Sequence, residues 1–175
     1  MGMVLKPQDV LVALNLCLPG AKGLSYAEKA KVLGMSASEV HAAEKRLCEA
    51  RLVQLDSKEV RRGPLLEFLI HGVPYVFATS PKEWTRGMPT AWAAPALADK
   101  FAQTDQPTPI WPDPEGTVQG VAVEPLYRSV ANVAKKDSEL YDLLSLVDAL
   151  RIGRMREKKL AEDEIRKRLK EYAGS

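Results

Sequence analysis

The sequence predicts a mainly α-helical fold with a small β wing. Three observations carry that expectation. Two Ser-x-x-Glu sequences, Ser25 to Glu28 and Ser36 to Glu39, stand on either side of Gly34. A short polar hairpin pattern follows in ARLVQLDSKEVRRG, and an apolar stripe of helical period returns in DSELYDLLSLVDAL. The chain divides by composition into residues 1–73, a proline- and tryptophan-rich segment at 74–134, and a helical C-terminus at 135–175.

KPQDVLVALNLCLPG reads as the first helix. Pro7 suits its first position, because the missing N–H would be unsatisfied there anyway. Val10, Leu11, Leu14, Cys17 and Leu18 form its apolar stripe, and Pro19-Gly20 ends it. Ser25 opens the second helix by accepting from the N–H of Glu28, whose carboxylate reaches back. Its apolar positions are Tyr26, Ala27, Ala30 and Leu33. Gly34 supplies a left-handed residue that ends the helix without a Cβ penalty. Ser36 caps a third helix running to about Ala50, with Val40, Ala43 and Leu47 inward and Ser38, His41, Ala42, Lys45 and Glu49 outward. Two short strands around a polar tip come next. PLLEFLIHGV reads as a helix, although so short an apolar run also fits a strand.

Nine of the twelve prolines fall between Pro74 and Pro125, which blocks long helices there. Trp84, Trp92 and Trp111 share this region, and disordered segments are poor in aromatics. An extended, partly ordered segment packed over a core or a partner is expected, with one strand in TVQGVAVEPL. The last segment carries Leu140, Leu143, Leu144, Val147 and Leu150 on one stripe. Gly153 marks a break, and Leu160, Ile165 and Leu169 continue a thinner stripe.

Composition narrows the function. The apolar fraction of 46% and charged fraction of 27% are those of a soluble globular protein. No apolar run approaches the roughly 20 residues of a membrane span. MGMVLKPQDV lacks the pattern of a signal peptide, so a cytoplasmic location is expected. Cys17 and Cys48 read as small buried hydrophobes, and with His41 and His71 they give no metal-ligand spacing. No glycine-rich phosphate loop, GxSxG, HExxH or cysteine–histidine pair is present; Asp137, Asp142 and Asp148 read as a polar helix face. Neither catalysis nor a cofactor is expected. Charge is segregated. Residues 1–62 hold ten Lys/Arg against seven Asp/Glu, 63–150 hold six against eleven, and 151–175 hold nine against five. Basic ends of this kind suit a nucleic-acid contact.

The spacing then specifies a helix–turn–helix. Such a unit needs a small residue where its helices touch, a glycine in the turn and an apolar residue facing back. Ala30, Gly34 and Val40 occupy those positions, with Leu47 continuing the core. A helix before this unit and a strand–tip–strand after it give the order of a winged helix.

On SYAEKAKVLGMSASEVHAAEKRL and LVQLDSKEVRR, the stretch from Pro7 to Arg62 resembles the winged-helix transcriptional regulators of bacteria and archaea, in the broad MarR-like sense. The resemblance implies that the third helix enters the major groove of double-stranded DNA, presenting Ala37, Ser38, His41 and Lys45. It implies that Lys58, Arg61 and Arg62 on the wing meet the backbone. Ser36 is already engaged as a cap. The exposed helix face offers no Arg, Asn or Gln, the common readers of bases. Reading two half-sites as a homodimer compensates for that, and the LLSLVDAL stripe is the expected dimer aid. The segment LVDALRIGRMREKKLA resembles, more loosely, C-terminal regions of regulators encoded beside nucleotidyltransferase-type toxins, on Asp148, Arg151, Gly153, Arg154, Arg156 and Glu157. That implies an antitoxin-like role in which this tail, or the proline-rich middle, binds a partner, while the regulator itself is expected to be autoregulatory. Leu143, Leu144, Val147, Leu150, Arg151, Arg154 and Arg156 would then bind a toxin or other protein. An interaction module with secondary or absent DNA binding is the alternative.

Overall fold

The chain is mainly helical with a small three-stranded sheet, as seen in a computed structural model that describes residues 2–175. Local signals set the N-terminal elements. Helix α1 spans Pro7–Cys17, with Pro7 in its first turn. Asp9 accepts from the backbone N–H of Lys6 at 2.8 Å and so closes the helix start. Helix α2 (Tyr26–Leu33) and helix α3 (Ala37–Glu49) each begin with a reciprocal cap. The Ser25 and Ser36 hydroxyls each accept from the N–H of the glutamate three residues on, at 3.2 Å. The glutamates accept in return from the serine N–H groups at 2.7 and 2.8 Å. Gly34 joins the helices at φ 61°, the left-handed region that favours glycine. Ala30, Leu33, Val40, Ala43 and Leu47 are buried as expected, whereas Tyr26 and Ala27 face outward.

The hairpin expected as two strands is held by one isolated bridge, Val53 to Val60. Gln54 donates its N–H to the Glu59 carbonyl, and Arg61 donates its N–H to that of Leu52, both at 2.8 Å. Helix α4 (Arg62–His71) settles the ambiguous LLEFLI run, and the single turn α5 (Val73–Val76) follows.

The proline-rich stretch builds the sheet: β1 (Trp84–Pro89), β2 (Pro109–Pro112) and β3 (Val118–Ala122). β1 pairs antiparallel with both others, and β2 and β3 close the set through a short parallel contact. Pro89, Pro109 and Pro112 all stand at strand ends, where a missing N–H costs little. Gly87 sits where β1 crosses β2 so closely that a Cβ would collide with the Trp111 carbonyl.

Helices α6 (Val130–Lys136), α7 (Ser138–Ile152) and α8 (Met155–Ala173) complete the chain. Gly153 separates α7 from α8, as the sequence predicts. Leu140, Leu143, Leu144, Val147 and Leu150 are all buried. They join a single cluster with Leu11 and Leu14 of α1, Leu47 of α3, Leu65 and Leu69 of α4, Trp92, Trp111 and Ile165 of α8. Residues from 1–73, 74–134 and 135–175 therefore share one core.

Asp148 corrects another expectation. It is not on a polar face but is 1% exposed at the centre of the molecule. Its Oδ2 accepts from the Trp111 indole at 2.6 Å and the Thr90 hydroxyl at 2.8 Å. Its Oδ1 accepts from Arg151 at 2.8 Å. Arg151 also donates to the carbonyls of Phe77 at 2.9 Å and Glu124 at 3.0 Å. Burial, the largest influence, pushes the Asp148 carboxyl above its ordinary range, while Arg151, Thr90 and Trp111 pull it back. Removing Asp148 leaves the Trp111 indole and the Thr90 hydroxyl without their acceptor and the buried Arg151 charge without its counter-ion. Asp148→Ala is expected to lower the unfolding free energy by about 3–5 kcal/mol, measured by urea denaturation. Lys167→Ala, at an exposed position of α8, is expected to stay within about 0.5 kcal/mol.

Candidate nucleic-acid interface

The outer face of α3 is set by what its inner and lateral faces bind. Val40, Ala43 and Leu47 enter the core. On one side Arg46 donates twice to Asp9 of α1, both at 2.7 Å. On the other, Glu44 accepts from Lys29 of α2 at 2.6 Å. Both pairs are buried, and both hold α3 to partners on different helices. Rotation of α3 about its axis would break them together, so the outward residues are fixed in direction.

Those outward residues are Ala37, Ser38, His41 and Lys45, all exposed. The Ser38 hydroxyl lies 3.1 Å from that of Ser36, the capping residue. His41 meets the edge of the Tyr26 ring at 5.2 Å between centroids. Lys45 forms no ion pair among the described residues. The chain thus places four of the expected contact residues on one accessible surface.

The hairpin supplies less than expected. Lys58 stands at the tip with φ 58° and turns its ammonium back toward α3, 3.8 Å from the Cys48 sulfur. Together they wall a cleft with Tyr26, His41, Lys45 and Leu55. Arg61 is exposed, with one donor to the Arg51 carbonyl at 3.0 Å. Arg62 is engaged elsewhere. As the first residue of α4 it turns inward and donates to the carbonyls of Leu169 at 3.1 Å and Cys17 at 3.3 Å. It therefore ties the end of α8 to the end of α1. Beside it, burial pushes the Cys17 thiol up to about 12.

The C-terminal partner surface needs a larger correction. Leu143, Leu144, Val147 and Leu150 are at most 2% exposed and are covered by this chain's own α1, α8 and middle segment. Arg151 is engaged by Asp148 and two carbonyls. Only Arg154 and Arg156 of that set are exposed, and Arg156 lies over the Phe101 ring at 4.9 Å.

Tyr127 and Arg128 join the site without any forewarning in the sequence. The Tyr127 hydroxyl donates to Glu39 of α3 at 2.8 Å, and Arg128 stands 3.8 Å from the same carboxylate. Ser129 donates to the Leu33 carbonyl at 2.7 Å. The loop before α6 therefore abuts the α2–α3 turn. Nothing in local spacing could reveal a contact across 88 residues.

Among the described residues no group of three or more His, Cys, Asp or Glu is arranged to hold a metal, and no helix is long and apolar enough to cross a membrane. No family model, curated protein or solved structure matches this chain.

Glu39 offers a direct check on the loop contact. The Ser36 N–H is the largest influence holding its carboxyl below the ordinary value of 4.5, and the Tyr127 hydroxyl is the next. The folded pKa is thus depressed, so this group's stabilisation is present above the unfolded value and is lost as pH falls below 4.5 through the folded one. Carboxyl NMR titration is expected to place Glu39 below 4.5, and Tyr127→Phe to move it upward while leaving it below 4.5, because the Ser36 contact remains.

Proposed function

We propose that this protein is a DNA-binding transcriptional regulator of the winged helix–turn–helix type, acting as a homodimer and controlling its own promoter among its targets. In this reading α2 and α3 are the helix–turn–helix, α3 is the recognition helix, and the 52–61 hairpin is a reduced wing. One observation carries it: Ala37, Ser38, His41 and Lys45 form an exposed face on a helix whose opposite and lateral faces are locked by the core, Asp9–Arg46 and Lys29–Glu44. A helix that enters a groove must offer an accessible face held in one orientation, and the exposed residues and the two buried pairs supply both. Basic residues near that face, Lys58 and Arg61, suit backbone phosphates.

The homodimer follows from the demands of recognition, since two half-sites multiply a modest single affinity. The α7 stripe no longer offers a dimer or toxin surface, because its side chains are enclosed. An antitoxin function through that stripe is accordingly not proposed.

Gel-shift and anisotropy measurements on the region upstream of the coding sequence test the reading. The wild type is expected to bind that duplex more tightly than scrambled DNA, with affinity falling steeply as salt rises. Lys45→Ala and His41→Ala are expected to erode the preference by roughly 1–3 kcal/mol. Arg61→Ala is expected to weaken both duplexes alike, and Arg62→Ala to act through stability instead. Equal affinity for upstream and scrambled duplexes would sink the proposal.

A further inference from the structure

We propose that Lys31, Arg128 and Lys136 form a second backbone clamp, which grips DNA phosphates on the flank of α3 opposite the hairpin. It rests on the reading of α3 as the DNA-contacting helix and adds a contribution from the C-terminal half of the chain.

A cleft runs beside the α2–α3 turn, with Lys31, Gly34, Arg128, Ser129, Asn132 and Lys136 in its walls. Its base is built rather than incidental. Ser129 donates to the Leu33 carbonyl at 2.7 Å, and a Cβ on Gly34 would stand 2.8 Å from that of Ser129. The start of α6 is therefore seated directly on the turn through the Ser129 side chain. Lys31, Arg128, Asn132 and Lys136 are all exposed around this seat.

The charge is unbalanced. Lys31 and Lys136 form no ion pair among the described residues. Arg128 has one carboxylate near it, Glu39 at 3.8 Å, and its side chain remains 76% exposed. That carboxylate is already committed to the Ser36 N–H at 2.8 Å and the Tyr127 hydroxyl at 2.8 Å. Three cations and the Asn132 amide thus surround a hollow, and the two carboxylates near them, Glu39 beside Arg128 and Glu28 beside Lys31, are both engaged in helix caps. This is a chemistry for phosphodiester oxygens, with Arg128 able to offer a planar fork.

Helical geometry places the cleft on the correct side. Glu39 and Glu44 lie five residues apart on α3, which is about 140° of rotation. The Glu44 side borders the cleft shared with Lys58. The Glu39 side meets Tyr127 and Arg128. Between them, outward, stand His41, Lys45 and Ser38. A helix roughly 10–12 Å across fills a major groove about 12 Å wide and brings both of its flanks against phosphates. The hairpin serves one wall of the groove and the α6 cluster serves the other.

The test is anisotropy binding to two duplexes of about 30 base pairs, three turns of B-DNA, one from the upstream region and one of scrambled sequence, across a salt series. The variants are Lys31→Ala/Arg128→Ala/Lys136→Ala, the single changes at Arg128 and Lys136, and Arg128→Lys. The triple variant is expected to weaken both duplexes equally. Its plot of log affinity against log salt should flatten by about 0.9 for each phosphate that the protein ceases to neutralise. The exposed single changes should each give part of that effect and are read in its place if the triple variant does not fold. Arg128→Lys should retain most of the slope. Unchanged affinity and slope in these variants, alongside weaker binding by Lys45→Ala, would overturn the clamp and leave α3 as the interface. No DNA binding by the wild type at low salt would overturn both.

Discussion

The Asp148 carboxylate is the point on which the architecture converges. It draws an indole, a hydroxyl and a guanidinium to one buried position, each from a different stretch of chain. Trp111 brings β2, Thr90 brings the end of β1, and Arg151 brings the backbone after α5 and after β3. A segment with nine prolines cannot organise itself by long helices or broad sheets. It needs an external anchor, and α7 supplies one. Alternative packings of the same apolar residues would leave a buried charge without donors, so the network selects one arrangement more than it adds net stability.

The same logic governs the N-terminal region on a smaller scale. An apolar stripe alone would allow α3 to shift or roll by small amounts. The Asp9–Arg46 and Lys29–Glu44 pairs remove that freedom, because each requires a particular facing residue on another helix. Asp9 serves twice, closing α1 and holding α3. Placing α6 against the α2–α3 turn then connects the two halves, so the surface around α3 is assembled from both ends of the chain. The exposed cations on that surface come from residues as distant as Lys31 and Lys136.

Features fixed by neighbouring residues were legible in the sequence. Ser25, Ser36, Gly34, Pro7 and Gly153 each act within one helical turn, and each stands where its chemistry predicts. Features fixed by distant residues were not. Leu143 and Leu144 looked like a free stripe because their cover, the middle segment, is itself unreadable by periodicity. Asp148 looked like a surface residue because its spacing among Asp137 and Asp142 is ordinary, while two of its three donors lie 58 and 37 residues away. Arg61 and Arg62 are adjacent and chemically alike, yet the start of α4 sends one outward and the other into the gap between α1 and α8. Arg128 carried no local sign of its position beside α3.

Contact of duplex DNA with a surface centred on α3 is most directly tested by amide and side-chain NMR shifts on titration with the upstream duplex. The expected perturbations centre on Ala37, Ser38, His41 and Lys45 and extend to the second arm of the hairpin, residues 58–61, and to residues 128–136, with the interior of α7 unmoved. Perturbations confined to the outer face of α8, with α3 silent, would contradict it.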